Sequence, residues 1–395
     1  MSVSDRWLLP DGVEELLPPQ AAVVEDMRRQ LIDLYQRWGY ELVTPPLIEY
    51  LDSLLTGAGH DLDLQTIKIT DQLTGRLMGI RADMTPQAAR IDARGARANG
   101  GVNRLCYLGS VLHAVPAHML TSRTPIQAGC ELYGQADVSA DIEVISLMLE
   151  SLRTVGISHI HVELAQVGVY RALIAKAGLN EAMEKQLFDA LRRKSIPDIE
   201  ELAANAVADP QVAEMIRRLP RLAGGREILD QARALFDGTE AEVLAGLDTM
   251  EQVAEALEKR FPEVEFYFDF CELRGYNYHT GLVFAAYAEG YGQAIAQGGR
   301  YDGAGAVFGV SRPATGFSLD VKALLRMAET LPELPCNGIL APAGDEPGLW
   351  NKIQELRRRE TVIQLLPGQP REEVIGRCDR ELVLVGDDWQ VKPLG

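Results

Sequence analysis

A chain of 395 residues with a net charge of −18, 47% hydrophobic and 24% charged residues is long enough for two or three soluble globular domains. No apolar run reaches the ~20 residues of a membrane span. The five scattered cysteines, none in a C-x-x-C pair, argue against a zinc site or a disulfide framework.

The opening "MSVSDRWLLPDGVEELLPP" has no basic segment followed by an apolar core. A cytoplasmic protein with reduced thiols and no membrane association is therefore expected. The acidic balance weighs weakly against a nucleic-acid partner. The one basic cluster, Arg357 to Arg359, falls in an expected helix and reads as a solvated face.

In chain order, residues 20–38 show helical apolar spacing, with Gly39 as a stop. "YELVTPPLIEY" reads as a strand that lies at an edge or breaks at its two prolines. "TIKITDQLTGRLMGIRADMT" reads as a hairpin turning at Thr74-Gly75, then a strand with Arg81, Asp83 and Thr85 on one face. A helix follows, with Thr85 as N-cap and Pro86 at its first position.

Next comes a strand pair around "YLGSVLHAVPAHMLTSRTPIQAGCELYG", then a helix "SADIEVISLMLESLRTVG" and a strand "HIHVELAQVGVY". From about 171 to 260 the Ala-, Leu-, Glu- and Arg-rich texture predicts a helical insertion. Strands resume with "EFYFDFCEL", "LVFAAYA" and "AIAQGG", before an expected helix "GFSLDVKALLRMAE". After Leu331 a proline-rich linker leads to a module with the rhythm strand, helix, strand, turn, helix, strand. The pattern predicts an α+β core over 1–330 around a mainly antiparallel sheet flanked by helices. A small α/β unit over 336–395 completes the chain.

Period-two alternation puts Gln127, Gly129, Glu131 and Tyr133 on one face of "PIQAGCELY". That is a carboxylate and an amide with space between them for a ligand; a solvated sheet face would show the same pattern. "CELRGYNYHTGLVF" brackets aromatic residues and His279 between Arg274-Gly275 and Thr280-Gly281. "QGGRYDGAGAVFG" adds Gly298, Gly299, Arg300, Tyr301 and Asp302. Paired glycines allow close approach of a ligand or a neighbouring strand. The dinucleotide fingerprint and the P-loop are absent, as is a nucleophile elbow. His159 and His161 lack the partners of a metal site, and His113 and His118 sit in a stretch, Leu105 to Ser122, with no charged residue.

Taken together, over about residues 5–330, these segments resemble the class II aminoacyl-tRNA synthetase core, specifically histidyl-tRNA synthetase. "GYELVTPPLIEY" resembles the first motif, which implies a dimer interface. "IRADMTPQAAR" and "QAGCELYG" resemble the segments that line the amino-acid site. "LRGYNYHTGLVF" resembles the histidine-specific signature, and "GGRYDG" matches the family's own sequence. The resemblance implies a histidine-like pocket of Asp83, Thr85, Gln127, Glu131, Arg274, His279 and Tyr301, with no metal and no cofactor. Asp83 and Thr85 would receive an α-amino group, Gln127 would lie near the amino-acid backbone and Glu131 would accept an imidazole N–H. Arg274 would lie near the carboxylate. His279 stands where the family has tyrosine.

The departures are as informative. In the working enzymes an Arg-x-Glu occupies the uncharged stretch and its arginine holds the ATP α-phosphate; "GSVLHAVPAH" places no arginine there in any alignment. At the Glu and Arg of the third motif's closing Gly-x-Glu-Arg this chain has Lys322 and Ala323, with Arg326 one turn displaced. Loss of one such donor costs about 10²- to 10³-fold in rate, so adenylation is not expected. The tail from 336 is also shorter than the family's anticodon-binding domain.

This combination resembles the regulatory subunits of ATP phosphoribosyltransferase, as do "RGYNYHTG" and "PDGVEELLPP". It implies a non-catalytic chain that activates a short-form catalytic subunit in a hetero-octamer, takes part in feedback inhibition by histidine and binds no tRNA. A divergent histidyl-tRNA synthetase and a free-standing histidine sensor are the competing readings.

Overall fold

In the computed structural model, residues 8–56, 60–95, 100–116, 122–239, 241–276, 278–303, 305–327 and 336–394 are described. The chain divides into two compact units, 1–15 with 24–328, and 16–23 with 329–395.

The first helix, α1 (Gln20–Arg37), is followed by β1 (Glu41–Leu42) and β2 (Ile48–Tyr50). The prolines at 45 and 46 separate these strands into different sheets, β1 at an edge of the large one, so both consequences expected of the double proline occur. Two short helices, α2 (Leu51–Leu54) and α3 (His60–Gln65), lead to the hairpin of β3 (Ile67–Thr70) and β4 (Leu77–Ile80).

The strand expected to continue through Thr85 ends at Ile80. Arg81 then turns away from Asp83, its guanidinium donating to the carbonyls of Pro45 (2.7 Å) and Ser110 (2.9 Å). Helix α4 (Thr85–Arg94) starts with Met84 at the cap position, not Thr85. The Thr85 hydroxyl lies 3.0 Å from that of Tyr107, and the Asp83 carboxylate accepts from the Thr85 N–H at 3.0 Å instead.

Strands β5 (Asn103–Ser110) and β6 (Ile126–Tyr133) precede α5 (Ser139–Thr154). Strand β7 (Ile160–Gln166) is shorter than expected: "VGVY" opens α6 (Val167–Ala177), because the Gln166 side chain caps the Gly168 N–H at 3.2 Å. The Ala- and Leu-rich stretch continues as α7 (Glu181–Arg192), α8 (Ile196–Ala206), α9 (Pro210–Arg218), the two-residue β8 (Ala223–Gly224), α10 (Glu227–Leu235) and α11 (Ala241–Arg260).

The chain returns through β9 (Glu265–Asp269), β10 (Leu282–Ala288), β11 (Ala296–Arg300) and β12 (Ala314–Asp320), then α12 (Val321–Met327). The helix expected from Gly316 is a strand as far as Asp320. It lies between β6 and β11, hydrogen-bonded on both sides, and Asp320 caps the helix only afterwards by accepting from the Lys322 N–H at 3.0 Å.

The large sheet has nine strands in the order β1-β5-β6-β12-β11-β10-β7-β9-β8. Its centre is antiparallel, with parallel pairs only at β1–β5 and β7–β9. Helix α5 packs on this sheet, and Tyr35 of α1 meets Phe317 edge-on at 6.2 Å within the buried core.

Most of the proline-rich linker lies outside the described residues. The second unit holds β13 (Gly338–Ala341), α13 (Pro347–Arg357), β14 (Val362–Gln364), α14 (Glu372–Ile375), β15 (Cys378–Val385) and β16 (Asp388–Pro393). The rhythm expected there gains one strand, since β15 and β16 form a hairpin. Ile339, Leu349, Ile353 and Leu382 form its own core.

Candidate functional site

The centre of the site is a buried carboxyl. Glu131 sits on β6 and is 1% exposed. Across the β5–β6 pair Tyr107 lies opposite Gly129, and a side chain at Gly129 would come within 2.5 Å of the Tyr107 hydroxyl. The missing Cβ lets that hydroxyl reach Glu131, to which it donates at 2.9 Å. Tyr301, just after β11, donates its hydroxyl to the other oxygen of Glu131. On the opposite strand Gly316 faces Glu131, and a Cβ there would collide with the carboxyl. Burial pushes Glu131 up to about 8, only partly offset by the two tyrosine hydroxyls.

Asp83 and Gln127 form a bracket beside it. The Gln127 amide donates to Asp83 at 2.7 Å and accepts from the Met84 N–H at 2.9 Å. Arg274 donates to the Tyr287 hydroxyl at 2.9 Å and to Gln297 at 3.2 Å, with Glu272 at 3.4 Å. The His279 ring fills the space left by Gly275 and Gly299, and burial lowers it to about 4, so the imidazole is neutral at neutral pH. Tyr278 stacks on Tyr301 with ring centroids 4.9 Å apart.

These groups enclose a cavity of about 170 Å³. Six of the seven residues expected from the sequence line it: Asp83, Thr85, Glu131, Arg274, His279 and Tyr301. Gln127 lines an adjoining space of about 650 Å³, which shares Asp83 and Arg274 with the first. Sequence reasoning missed Glu163 and Glu272, which also line the smaller cavity, and the Tyr107 partner of Glu131. A lone carboxylate in the apolar run "HIHVELAQV" was a signal for Glu163; Tyr107 needed the cross-strand register.

The larger space is poor in available positive charge. Among its described lining residues Arg274 is the only Lys or Arg. The His113 ring lies 3.1 Å from the Ala82 carbonyl. Lys322 is buried and donates to Thr124 at 3.0 Å, with Glu14 at 3.6 Å. Arg326 pairs with Glu14 at 2.8 Å, and Arg123 donates to the carbonyls of His113 and Asp11, each at 3.0 Å. His118 lies outside the described residues. Among the described residues no group of three or more His, Cys, Asp or Glu is arranged to hold a metal ion, and no helix is long and apolar enough to cross a membrane.

The antiparallel sheet and its tyrosine-flanked carboxyl define a histidyl-tRNA synthetase-like protein: the family model for histidyl-tRNA synthetase matches residues 12–324. The C-terminal unit is distinctive, since residues 336–392 match the ATP phosphoribosyltransferase subunit HisZ C-terminal domain. The chain is 55% identical to the ATP phosphoribosyltransferase regulatory subunit of Hahella chejuensis, over 100% of this chain and 98% of that protein. It is also 55% identical to that of Azotobacter vinelandii, over the whole of both chains. The crystal structure of an ATP phosphoribosyltransferase regulatory subunit/histidyl-tRNA synthetase from Bacillus halodurans superposes with a TM-score of 0.80 at 26% identity, covering 93% of this chain and 95% of that one. Histidyl-tRNA synthetase from Nostoc shares the fold, with a TM-score of 0.78 at 17% identity over 98% and 94% of the two chains. The chain belongs to the ATP phosphoribosyltransferase regulatory subunit family.

Proposed function

We propose that this chain is a non-catalytic partner of the short-form catalytic subunit of ATP phosphoribosyltransferase. It activates that subunit in the first step of histidine biosynthesis and takes part in its inhibition by histidine. The assembly is a cytoplasmic hetero-octamer built on a dimer of this chain. The exposed apolar residues Leu42, Leu47 and Ile48 of the first-motif region support that dimer contact. Residues 1–330 act as the synthetase-like core and 336–395 as a separate module. Asp83, Thr85, Gln127, Glu131, Arg274, His279 and Tyr301 form the histidine-type pocket, and no tRNA is bound.

One observation carries this reading. Six of the seven residues expected of an amino-acid pocket line one cavity, while the adjoining space offers no uncommitted cation among the described residues to neutralise a triphosphate. Adenylate formation needs such groups aimed at the developing charge. A regulator needs only a ligand that binds two states of the assembly unequally. The test is reconstitution with the catalytic chain: co-elution as one large species, and a rate that falls as histidine is added, support the reading. Independent elution at micromolar concentration contradicts it.

A further inference from the structure

Residues 10–14 form a turn seated on Arg123. The Val13 N–H donates to the Pro10 carbonyl at 2.9 Å, and Gly12 takes the third position of the turn with φ at +75°. The Gly12 carbonyl accepts from the Arg123 backbone N–H at 2.8 Å, and the Asp11 carbonyl accepts from its guanidinium at 3.0 Å. A Cβ on Gly12 would sit 3.0 Å from the Arg123 side chain, so only glycine lets the turn lie this close. That seating carries Glu14 to a cluster of donors. Its carboxylate meets Arg326 at 2.8 and 3.1 Å and Lys322 at 3.6 Å, and it accepts from the Ser122 hydroxyl. The Lys322 ammonium belongs to a side chain only 7% exposed and donates to the Thr124 hydroxyl at 3.0 Å, which lies 3.1 Å from that of Ser122. The nearby Asp320 carboxyl accepts instead from the backbone N–H groups of Ile126 and Lys322, each at 3.0 Å. Burial pushes the Glu14 carboxyl up, but Ser122, Arg326 and Lys322 together hold it below its usual value, so it is anionic at neutral pH. Ser122 and Asp320 also line the larger space next to the pocket.

We propose that this turn is an autoinhibitory strap: Glu14 stands as an internal anion in a site of Ser122, Thr124, Lys322 and Arg326 that otherwise accepts the phosphate groups of a polyphosphate. The donor set suits that ligand. An ammonium, a guanidinium and two hydroxyls make charge-assisted hydrogen bonds to phosphate oxygens as they do to a carboxylate. A buried cation without a counter-charge is costly, so an anion belongs beside Lys322. The strap's ion pair is itself modest, since the Arg326 and Glu14 side chains are 35% and 38% exposed. It prevails because it is part of the chain, which presents the carboxylate at high effective concentration. The purpose of the block rests on the regulatory reading given above, although the contact does not: a chain that works beside an ATP-consuming subunit leaves the ATP to that subunit.

The experiment is calorimetric titration of the purified full-length chain with inorganic tripolyphosphate at pH 7.5 and low salt. The wild type is expected to bind weakly, and Glu14→Gln roughly tenfold or more tightly. Gly12→Val strains the turn and crowds Arg123 while leaving Glu14 and its cations in the chain, and it should also tighten binding. Glu15→Gln removes the same charge from the exposed neighbouring position and should leave the affinity unchanged. Adding Lys322→Met to Glu14→Gln, or Arg326→Gln where that protein does not fold, should return the affinity to that of the wild type. An affinity unaltered in both Glu14→Gln and Gly12→Val overturns the proposal. Equal tightening in Glu15→Gln also overturns it, as a general effect of charge, and so does tightening that survives loss of the cation, which places the anion elsewhere. These failures leave the regulatory reading standing, because that reading is tested only with the catalytic chain present.

Discussion

The Tyr276 hydroxyl donates to the Glu184 carboxylate at 3.1 Å, tying the loop that carries Arg274, Tyr278 and His279 to helix α7. The ring is held on other sides too. Arg171 of α6 lies 4.4 Å from its centroid, and Tyr170 and Phe188 pack at 5.1 and 5.3 Å. Arg171 also donates to the carbonyls of Tyr276 and His279. The helical stretch therefore holds the cavity's loop in place. Tyr276→Ala is expected to cost about 2 kcal/mol, the half-buried end of aromatic truncation, and Tyr276→Phe about 1 kcal/mol for the hydrogen bond. Urea denaturation of the three proteins gives both values.

Glu131 makes stability depend on pH with a defined sign. Its folded-state value of about 8 lies above the ordinary 4.5, so the folded protein keeps a proton that the unfolded chain releases. Its contribution is greatest below about pH 4.5, declines as pH rises and levels off above about 8, a span on the order of a few kcal/mol. Asp83, Tyr107 and Tyr301 face the same carboxyl. Glu131→Gln removes the titration while keeping the shape of the protonated acid: its one oxygen accepts from one tyrosine, and its NH2 donates to the other hydroxyl. The stability of the wild type relative to this variant, measured by denaturant titration from pH 5 to 9, should therefore fall with rising pH.

Arg300 holds Tyr301 in position through a buried ion pair. Its guanidinium meets Asp141 of α5 at 2.7 Å, and the two side chains are 10% and 1% exposed. Removing one partner strands the other charge away from water. Arg300→Met should destabilise the chain by about 3 kcal/mol. The double change with Asp141→Leu should recover much of that loss, which a thermodynamic cycle of denaturant midpoints measures.

The sequence carried the site better than the elements around it. The resemblance of the signature segments pointed to six of the residues that line the small cavity, and strand alternation by itself pointed to Glu131. Boundaries failed where pairing or a side-chain cap decided the outcome. "GFSLD" looks helical in isolation but is fixed as a strand by β6 and β11 on its two sides. The Thr85 hydroxyl has the sequence context of a cap, yet it lies within hydrogen-bond distance of the hydroxyl of Tyr107, 22 residues further along the chain. Glu272 lay in plain view beside Arg274, but only the fold shows that the two side chains face one another. Long-range partners are what local periodicity does not encode.

The poverty of available cations next to the pocket has a direct chemical consequence. Histidine-dependent exchange of pyrophosphate into ATP should stay at background with the purified chain, because loss of even one phosphate donor costs about 10²- to 10³-fold. Exchange at a rate typical of a working ligase would mean that other groups of this chain seat the triphosphate.

The central claim is that this chain regulates an enzyme and is not one itself. Phosphoribosyl transfer from phosphoribosyl pyrophosphate to ATP by the short-form catalytic subunit, assayed alone and with this chain added, tests it most directly. The account predicts a large increase in rate on addition and no transfer by this chain alone. An unchanged rate in a mixture where the two chains are shown to associate would contradict it.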